Sequence, residues 1–590
     1  MSRGARTWRR SSLKWSLANQ HFLQHPLSAP IILVAAILTV YYPAVFSGIH
    51  SVDDTGIISL YSSSPDLAHI LLPGSSYYYR PVLELSFWLD NYLWGMDPVA
   101  MHMENIALHC ANSILVFMAA CCLFRITGRQ HGLLLPLLAA LFFSLHPVNT
   151  EPVAWIAGRT DPLMSIFVLS SFYLLLRWFE TGKIPFLVAS AILMIAGMLT
   201  KETAFAAASV IFLLFLAWPE SRLDRKTAVK LFFAVFLLGL FFLFILYLYR
   251  DSFAGSYGFA RLLSFAGLDR GQGLWEGLAA LGFYFRKMVA PLPLSFAITE
   301  ISGFFGVAGV LLCCILVWSF YKDRRSGLLL LSAAFTLLPA IAVAYVHIAW
   351  TPFAERYLYL PLAFFTLWLL MTVSALFQSN FRMMCMLASL LLLFFSAVVL
   401  QRTILWGDKA AFIEDAIAKS PGFGSLYNEQ GGLLLKQGRV EAAREAFNRA
   451  EMYNKRDSMR LLIKANQMIV LLAEKKYIGV RDSFFLLFRN KDEAPAEFLE
   501  ILFKADSRRL YDLSGPARLQ LAEDVIETLS ILERKKSDPF WLYQSGRMAM
   551  ELGDYQKAQD FFMKAYSKAP VDAHYREAVL IFMEKLGAAR

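Results

Sequence analysis

The sequence predicts an all-α protein: a multi-pass membrane bundle followed by a helical-repeat solenoid. Three observations predict it. The 590 residues are 57% hydrophobic and only 17% charged, more apolar than soluble domains, which run about half apolar and a quarter charged. Apolar runs long enough to cross a bilayer recur over the first two thirds. Beyond residue 402 charges become dense and helical periodicity appears. The formal charge of +10 lies largely in short loops between apolar runs, which excludes a nucleic-acid surface and instead reports orientation in a membrane.

Taken in order, residues 1–27 form a basic tail carrying Arg3, Arg6, Arg9, Arg10 and Lys14. The apolar run after it lacks a small-residue cleavage pattern and reads as an uncleaved first helix. Spans are expected near 29–47, 106–124, 133–146, 162–179, 184–200, 203–218, 228–249, 303–320, 327–346, 357–377 and 383–401. With the tail cytoplasmic, Arg125 and Arg129, Arg177 and Lys183, Arg222 to Lys230, Lys322 to Arg325 and Arg382 fall inside. The large loop 48–105 and everything after residue 401 then fall outside. The apolar run Leu278 to Ala297, broken by Pro291 and Pro293, is expected as an interfacial or re-entrant helix. The six cysteines lie in or beside spans without metal-ligand spacing. This divides the chain into a tail (1–27), a membrane domain (28–401) and a repeat domain (402–590).

In the last part, Tyr427, Gly431, Gly438, Ala443, Phe447 and Ala450 recur as Gly546, Gly553, Tyr555, Ala558, Phe562, Ala565 and Pro570. These are the small and large positions of a tetratricopeptide repeat. Trp406–Pro421 reads as a half repeat, and 456–536 as helical but degenerate. Such arrays either present a concave surface to proteins or serve as a structural cap.

Polar residues gather on the expected outer side of the spans. Asp53 and Asp54 are adjacent just after the first span. Carboxylates near hydrocarbon cost a few kcal/mol or more, so the pair is either a solvated loop feature or a functional one. Arg80 follows Tyr77-Tyr78-Tyr79 and precedes an apolar segment with Glu84 and Asp90, read as a helix lying along the membrane. His102, Asn105, His109 and Asn112 share one helix face, a stripe better suited to a hydrogen-bonded seam than to zinc. The stiff run His146-Pro147-Val148-Asn149-Thr150-Glu151-Pro152 leads to Arg159 and Asp161, which either pair with each other or leave Arg159 for a phosphate. Lys201 and Glu202 sit at a tight hairpin, and Glu355-Arg356-Tyr357 opens a span after His347 and Trp350. Cations beside a carboxylate pair suit one chemistry: a carboxylate as general base on an acceptor hydroxyl, with cations steadying a departing lipid phosphate. No phosphate-cradling glycine loop or dinucleotide fingerprint is present in the sequence.

These residues resemble the TMTC family, transmembrane and tetratricopeptide repeat-containing O-mannosyltransferases within the GT-C membrane glycosyltransferases. The resemblance rests on Asp53-Asp54, Tyr79-Arg80-Pro81, the His102/Asn105/His109 run, His146 through Arg159, Lys201-Glu202, and Glu355-Arg356-Tyr357-Leu358-Tyr359-Leu360-Pro361. It implies a GT-C fold of about eleven transmembrane helices and a polyprenyl-phosphate sugar donor. It also implies transfer to a protein or envelope-glycan hydroxyl on the lumenal or periplasmic side, with inversion. An acid of Asp53-Asp54 would be the base, Asp54 preferred. Arg80, His102, His146, Glu151, Arg159, Lys201, Glu202, Glu355 and Arg356 would bind donor phosphate or substrate. No cofactor or catalytic metal is expected, although superfamily members acting on diphosphate-linked oligosaccharides use a metal, which leaves a cation at Asp53-Asp54 open. The short repeat region points to a bacterial relative in the inner membrane, with the endoplasmic reticulum as the alternative. Expected partners are membrane lipid, the lipid-linked sugar and an acceptor held by the repeats. A lipid-diphosphate ligase or polymerase and a non-catalytic scaffold are the competing readings.

Overall fold

A computed structural model describes residues 27–50, 52–63, 66–71, 79–128, 132–218, 230, 237, 270–346, 351–376, 381–455 and 457–588. The expected span 228–249, together with Tyr77, Tyr78, His347 and Trp350, lies outside the described residues except for single positions at 230 and 237. Among the described residues the chain is helical, with one isolated antiparallel bridge between Ile298 and Phe353. It divides into two compact units, residues 1–420 and 421–590.

Among the described residues of the first unit, seven helices are long and apolar enough to cross a membrane, beginning with Ser28–Phe46 and ending with Phe381–Gly407. Three shorter apolar helices, Leu134–Ser144, Ile184–Met198 and Thr203–Phe215, stand where spans are expected. The elements that position the site are α1 (Ser28–Tyr41), α2 (Asp54–Ser62), α3 (Leu67–Leu71), α4 (Pro81–Trp94), α5 (Pro98–Ile126), α6 (Leu134–Ser144) and the short α7 (Thr150–Ala154). They are followed by α8 (Thr160–Thr181), α9 (Ile184–Met198), α10 (Thr203–Ala217), α11 (Arg270–Val289), α12 (Phe305–Lys322), α13 (Arg324–Phe335), α14 (Leu338–Val346), α15 (Tyr359–Leu376), α16 (Phe381–Gly407) and α17 (Lys409–Lys419).

Water is not available to drive helices together inside a bilayer, so small and polar contacts do the work. Between α8 and α9, Ser171 and Ser190 each donate to the other's backbone carbonyl at 2.8 Å. Between α11 and α12, backbones touch at glycines: a Cβ on Gly282 would lie 2.0 Å from Phe305 O, and one on Gly309 2.1 Å from Leu278 O. The segment expected as interfacial or re-entrant is thus a continuous helix of 20 residues packed antiparallel to α12, with Pro291 and Pro293 in the connection after it.

The two compact units meet after residue 420, whereas the sequence reading divides the chain after residue 401. Helix α16 runs unbroken through residue 402. Asp408 then caps α17, accepting from Ala410 N and Ala411 N at 3.0 and 3.1 Å. Helix α17 buries Phe412 in the first unit, so the stretch read as a half repeat belongs there by packing.

The second unit contains helix pairs α18–α19 (Gly424–Lys436, Val440–Met452) and α24–α25 (Phe540–Glu551, Tyr555–Lys568). Both use one device. Gly431 lies against the Phe447 ring and Gly546 against the Phe562 ring, each too close for a Cβ, while Gly438 and Gly553 make the turn at φ +73° and +76°. Helices α20–α23 (Asp457–Ala473, Tyr477–Leu487, Ala496–Arg509, Gly515–Lys536) lie between the pairs in sequence and form their own core around Phe484, Leu502 and Leu529.

Replacing Gly309 by Val drives a side chain into the Leu278 carbonyl. Overpacking of this kind costs about 1–3 kcal/mol or more. We expect Gly309→Val to lower the thermal midpoint of the detergent-solubilised protein, while Gly273→Ala, where a Cβ meets nothing within 4 Å, leaves it unchanged. Equal midpoints for all three proteins would refute the backbone contact.

Candidate functional site

The loop after the first span is organised by Asp54. Its Oδ2 accepts from His50 N at 2.8 Å and its Oδ1 from Ala157 N at 3.0 Å. Both carboxylate oxygens are used and the side chain is fully buried. Burial pushes its carboxyl up to about 7, against the two N–H bonds, which favour the charged form. Asp53 is different. It precedes α2 and is exposed. Protein on most sides still raises its carboxyl above the ordinary value, with the charge of Arg356 pulling the other way. The loop is also tied at Gly48, whose carbonyl accepts from His102 Nε2 at 2.9 Å.

The segment from His146 to Asp161 forms the opposite wall. His146 donates from Nε2 to Met288 O at 3.0 Å. Glu151 binds Arg356 twice, accepting from its backbone N at 3.1 Å and from Nη1 at 2.6 Å. Gly158 is required here: a Cβ would lie 2.9 Å from the Pro152 backbone. The next residue, Arg159, is 1% exposed and fully engaged. It pairs with Asp90 at 2.6 Å and Glu104 at 3.1 Å, donates to Asn105 Oδ1 at 3.0 Å and Met101 O at 3.2 Å, and lies over the Phe87 ring.

The neighbour pairings that the sequence suggests are exchanged. Arg159 takes Asp90, and Asp161 takes Lys201 at 2.6 Å. Glu202 takes Arg80 through Nε and Nη2, the shortest contact 2.6 Å. A further pair, Lys287–Glu355 at 2.6 Å, is joined by Ser295 N donating to the same Glu355 oxygen at 2.9 Å. Lys287 is not among the sequence candidates. Its signal was a basic residue beside Arg286 inside an apolar run, and its ammonium reaches the carbonyls of Pro291 and Pro293.

The histidine–asparagine stripe of α5 is the expected hydrogen-bonded seam. Asn105 donates to Trp155 O and Asn112 to Pro162 O, each at 2.8 Å. His109 bonds Ser144 O through Nε2 and Tyr359 Oη through Nδ1. Since a carbonyl only accepts, Nε2 carries the proton and the tyrosine hydroxyl donates.

The structure therefore separates the candidates into two groups. Arg159, His102, His146 and Glu355 are inside the protein, committed to internal partners. Asp53, Arg356, Lys201 and Arg80 share one electrostatic neighbourhood. Arg356 acts on Asp53, while burial lowers the Lys201 ammonium with help from Arg80 and Arg356, against Asp161. Tyr357 lies between two cations, its ring 5.0 Å from Arg356 and 5.4 Å from Lys201. Among the described residues, no three His, Cys, Asp or Glu side chains are grouped as metal ligands.

Known proteins share parts of this chain. A tetratricopeptide-repeat family profile matches residues 542–571, the α24–α25 pair. The mouse protein O-mannosyl-transferase TMTC1 is 36% identical over 157 residues, 25% of this chain and 16% of that protein. Mouse protein O-mannosyl-transferase TMTC4 is 43% identical over 114 residues, 18% of this chain and 15% of that protein. Drosophila melanogaster protein O-mannosyl-transferase Tmtc2 is 37% identical over 142 residues, 23% and 14% respectively. The chain thus spans about one sixth of the length of the curated relatives it matches. It resembles the TMTC proteins in sequence and in joining apolar membrane helices to a tetratricopeptide repeat.

Removing one member of a buried ion pair leaves an uncompensated charge, at about 3–5 kcal/mol. We expect Arg159→Met to destabilise strongly and Arg159→Met with Asp90→Leu to recover most of the loss. A double variant as unstable as the single one would show that Asp90 is not the partner that matters. Asp54 adds a pH dependence. Its folded value of about 7 lies above the ordinary 3.8, so its contribution to stability is complete below about pH 4 and is lost as pH rises through about 7. In a pH series of thermal melts, Asp54→Asn is expected to flatten the decline between pH 4 and 7. Parallel wild-type and variant curves would refute the raised carboxyl.

Proposed function

We propose that the protein is an integral membrane glycosyltransferase. It moves a sugar from a polyprenyl-phosphate carrier to a hydroxyl of an acceptor protein or glycan on the non-cytoplasmic side. The observation that carries this reading is the contrast within the acid pair. Asp54 is buried with both oxygens occupied, while the neighbouring Asp53 is exposed and lies within the field of Arg356. The resemblance alone prefers Asp54 as base; the geometry favours Asp53, because a base must reach its substrate.

In this reading, the Asp53 carboxylate takes the acceptor hydroxyl proton. The acceptor oxygen attacks the anomeric carbon, and the bond from that carbon to the phosphate oxygen breaks. The lipid phosphate leaves with the electron pair, and direct displacement inverts the sugar centre. Arg356 steadies the leaving phosphate. Glu151 binds its Nη1 and its backbone N–H, so the guanidinium is oriented. The ring faces of Trp155 and Tyr357 also hold its plane. Lys201 and Arg80 add positive potential, each tempered by its own carboxylate. Burial raises the Asp53 carboxyl, and the charge of Arg356 lowers it, so its carboxylate is a stronger base than a free one.

The test uses the purified full chain in nanodiscs with polyprenyl-phosphate mannose, the sugar being taken from the relatives' names. Asp53→Asn is expected to lower kcat by about 10²–10⁴-fold, the usual worth of a general base, with little change in donor KM. Arg356→Gln is expected to raise donor KM as well. An Asp53→Asn protein that transfers sugar at the wild-type rate would sink the assignment.

A further inference from the structure

The loop that carries Asp53 is anchored by a residue the proposed reaction does not use. The His50 ring sits among four aromatic rings, with centroids 4.8 Å from Phe412, 5.3 Å from Trp406, 5.4 Å from Phe296 and 6.5 Å from Trp155. The four also contact one another. Phe296 lies 5.7 Å from Trp155, 5.5 Å from Trp406 and 5.0 Å from Phe412, and Trp406 and Phe412 are 4.5 Å apart. All four are at least 96% buried, Phe412 being 1% exposed.

The members come from distant parts of the chain. Trp155 precedes the Ala157 amide that binds Asp54. Phe296 follows the proline-broken connection, and Trp406 ends the last apolar helix. Phe412 projects from α17, which is pinned three ways: the Asp408 cap at its start, the Arg402–Asp415 ion pair at 2.6 Å along its side, and Ser420 Oγ donating to Ala297 O just beyond its end. Arg402 also lies over the Phe412 ring, 5.7 Å from its centroid.

We infer that residues 402–420 are a positioning element for the general base, with Trp406 and Phe412 holding His50 and, through it, the loop of Asp53 and Asp54. The argument is geometric. The His50 backbone N–H binds Asp54, and Asp53 lies between the two in sequence. A ring fixed on four sides therefore holds one end of the loop, and Asp54 with Ala157 N holds the other. Releasing the ring frees the loop, and a displacement of about 1 Å at a reacting group can cost a hundredfold in rate. The anchor is aromatic packing rather than ionisation, since each of the four rings touching His50 is uncharged.

This rests on Asp53 being the base, so two readouts separate the ideas. Phe412→Ala is expected to lower kcat for transfer from polyprenyl-phosphate mannose about tenfold or more, leaving donor KM within about twofold, because the two bonds from Glu151 still hold Arg356. Phe412→Leu and His50→Phe, which keep apolar bulk at the anchor, should stay close to wild type, whereas His50→Ala should resemble Phe412→Ala. Independently of any sugar, hydrogen–deuterium exchange of peptides covering 47–54 and 155–160 should quicken in Phe412→Ala and His50→Ala and stay slow in His50→Phe. The inference is overturned by unchanged kcat and exchange in both alanine variants, by a parallel rise in donor KM, or by His50→Phe behaving like His50→Ala. If Phe412→Ala does not fold, the His50 pair decides on the same criteria. Failure of the base assignment shows separately, as activity in Asp53→Asn with the exchange pattern intact.

Discussion

Everything at the candidate site hangs on the Asp54 carboxylate accepting two backbone N–H groups, one from His50, 4 positions before it, and one from Ala157, 103 positions after it. A carboxylate is one of the few groups able to satisfy two donors at once in a dry place. Without it, two half-buried N–H groups would lose their partner, at up to about 1–3 kcal/mol each. The bond pair thus does two things. It closes the first loop onto the run from His146 to Arg159, and it withdraws one member of the acid pair from solvent. The other member is then presented by the same turn, without being free to wander.

Around that clamp, charge is neutralised at a distance rather than locally. Arg159 with Asp90, Lys201 with Asp161, Arg80 with Glu202, Arg356 with Glu151 and Lys287 with Glu355 each join different elements. A buried ion pair gives little net stability over a hydrophobic equivalent, but breaking it is expensive. Its effect is to make wrong packings costly. Each pair staples one helix end to another, so the polar ends of α4, α8, α10 and α15 are held in register at one place. The degree of burial then grades their use: the Arg159 and Lys287 pairs are sealed, whereas Arg80, 20% exposed, and Arg356, 14% exposed, keep contact with the outside.

Much of this was legible in the sequence because it is local. The i, i+3, i+7 spacing of His102, Asn105 and His109 is a property of one helix, and each of those side chains does cross to a neighbour. The small and large positions of the repeat pairs were legible for the same reason: Gly546 and Phe562 are set by a short hairpin, and the family profile falls on that pair. The ion-pair partners were not legible. Adjacency suggests Arg159 with Asp161 and Lys201 with Glu202, but a side chain on a helix points along its own face, so neighbours in sequence diverge and reach for residues brought up by the fold. The position where the compact units divide was likewise not legible. A rise in charge density at 402 marks where the chain leaves hydrocarbon, not where packing changes partners, and Phe412 remains in the first unit.

These two scales explain why the acid pair could be singled out yet not divided by sequence. Asp53 and Asp54 differ by one position at the start of a helix, and a single residue step turns a side chain by about 100°. That step alone sends one carboxylate toward the Ala157 amide and the other toward solvent. Two chemically identical groups thereby acquire opposite environments: one is fully buried and raised to about 7, the other exposed and drawn back by Arg356. Adjacent carboxylates near a membrane would otherwise repel without benefit. Dividing them between structure and solvent eases the conflict, because the buried one is held by two backbone N–H groups while the exposed one faces the charge of Arg356. The pair is therefore best understood as one turn of unlike halves, in which the buried carboxylate fixes the position of the exposed one.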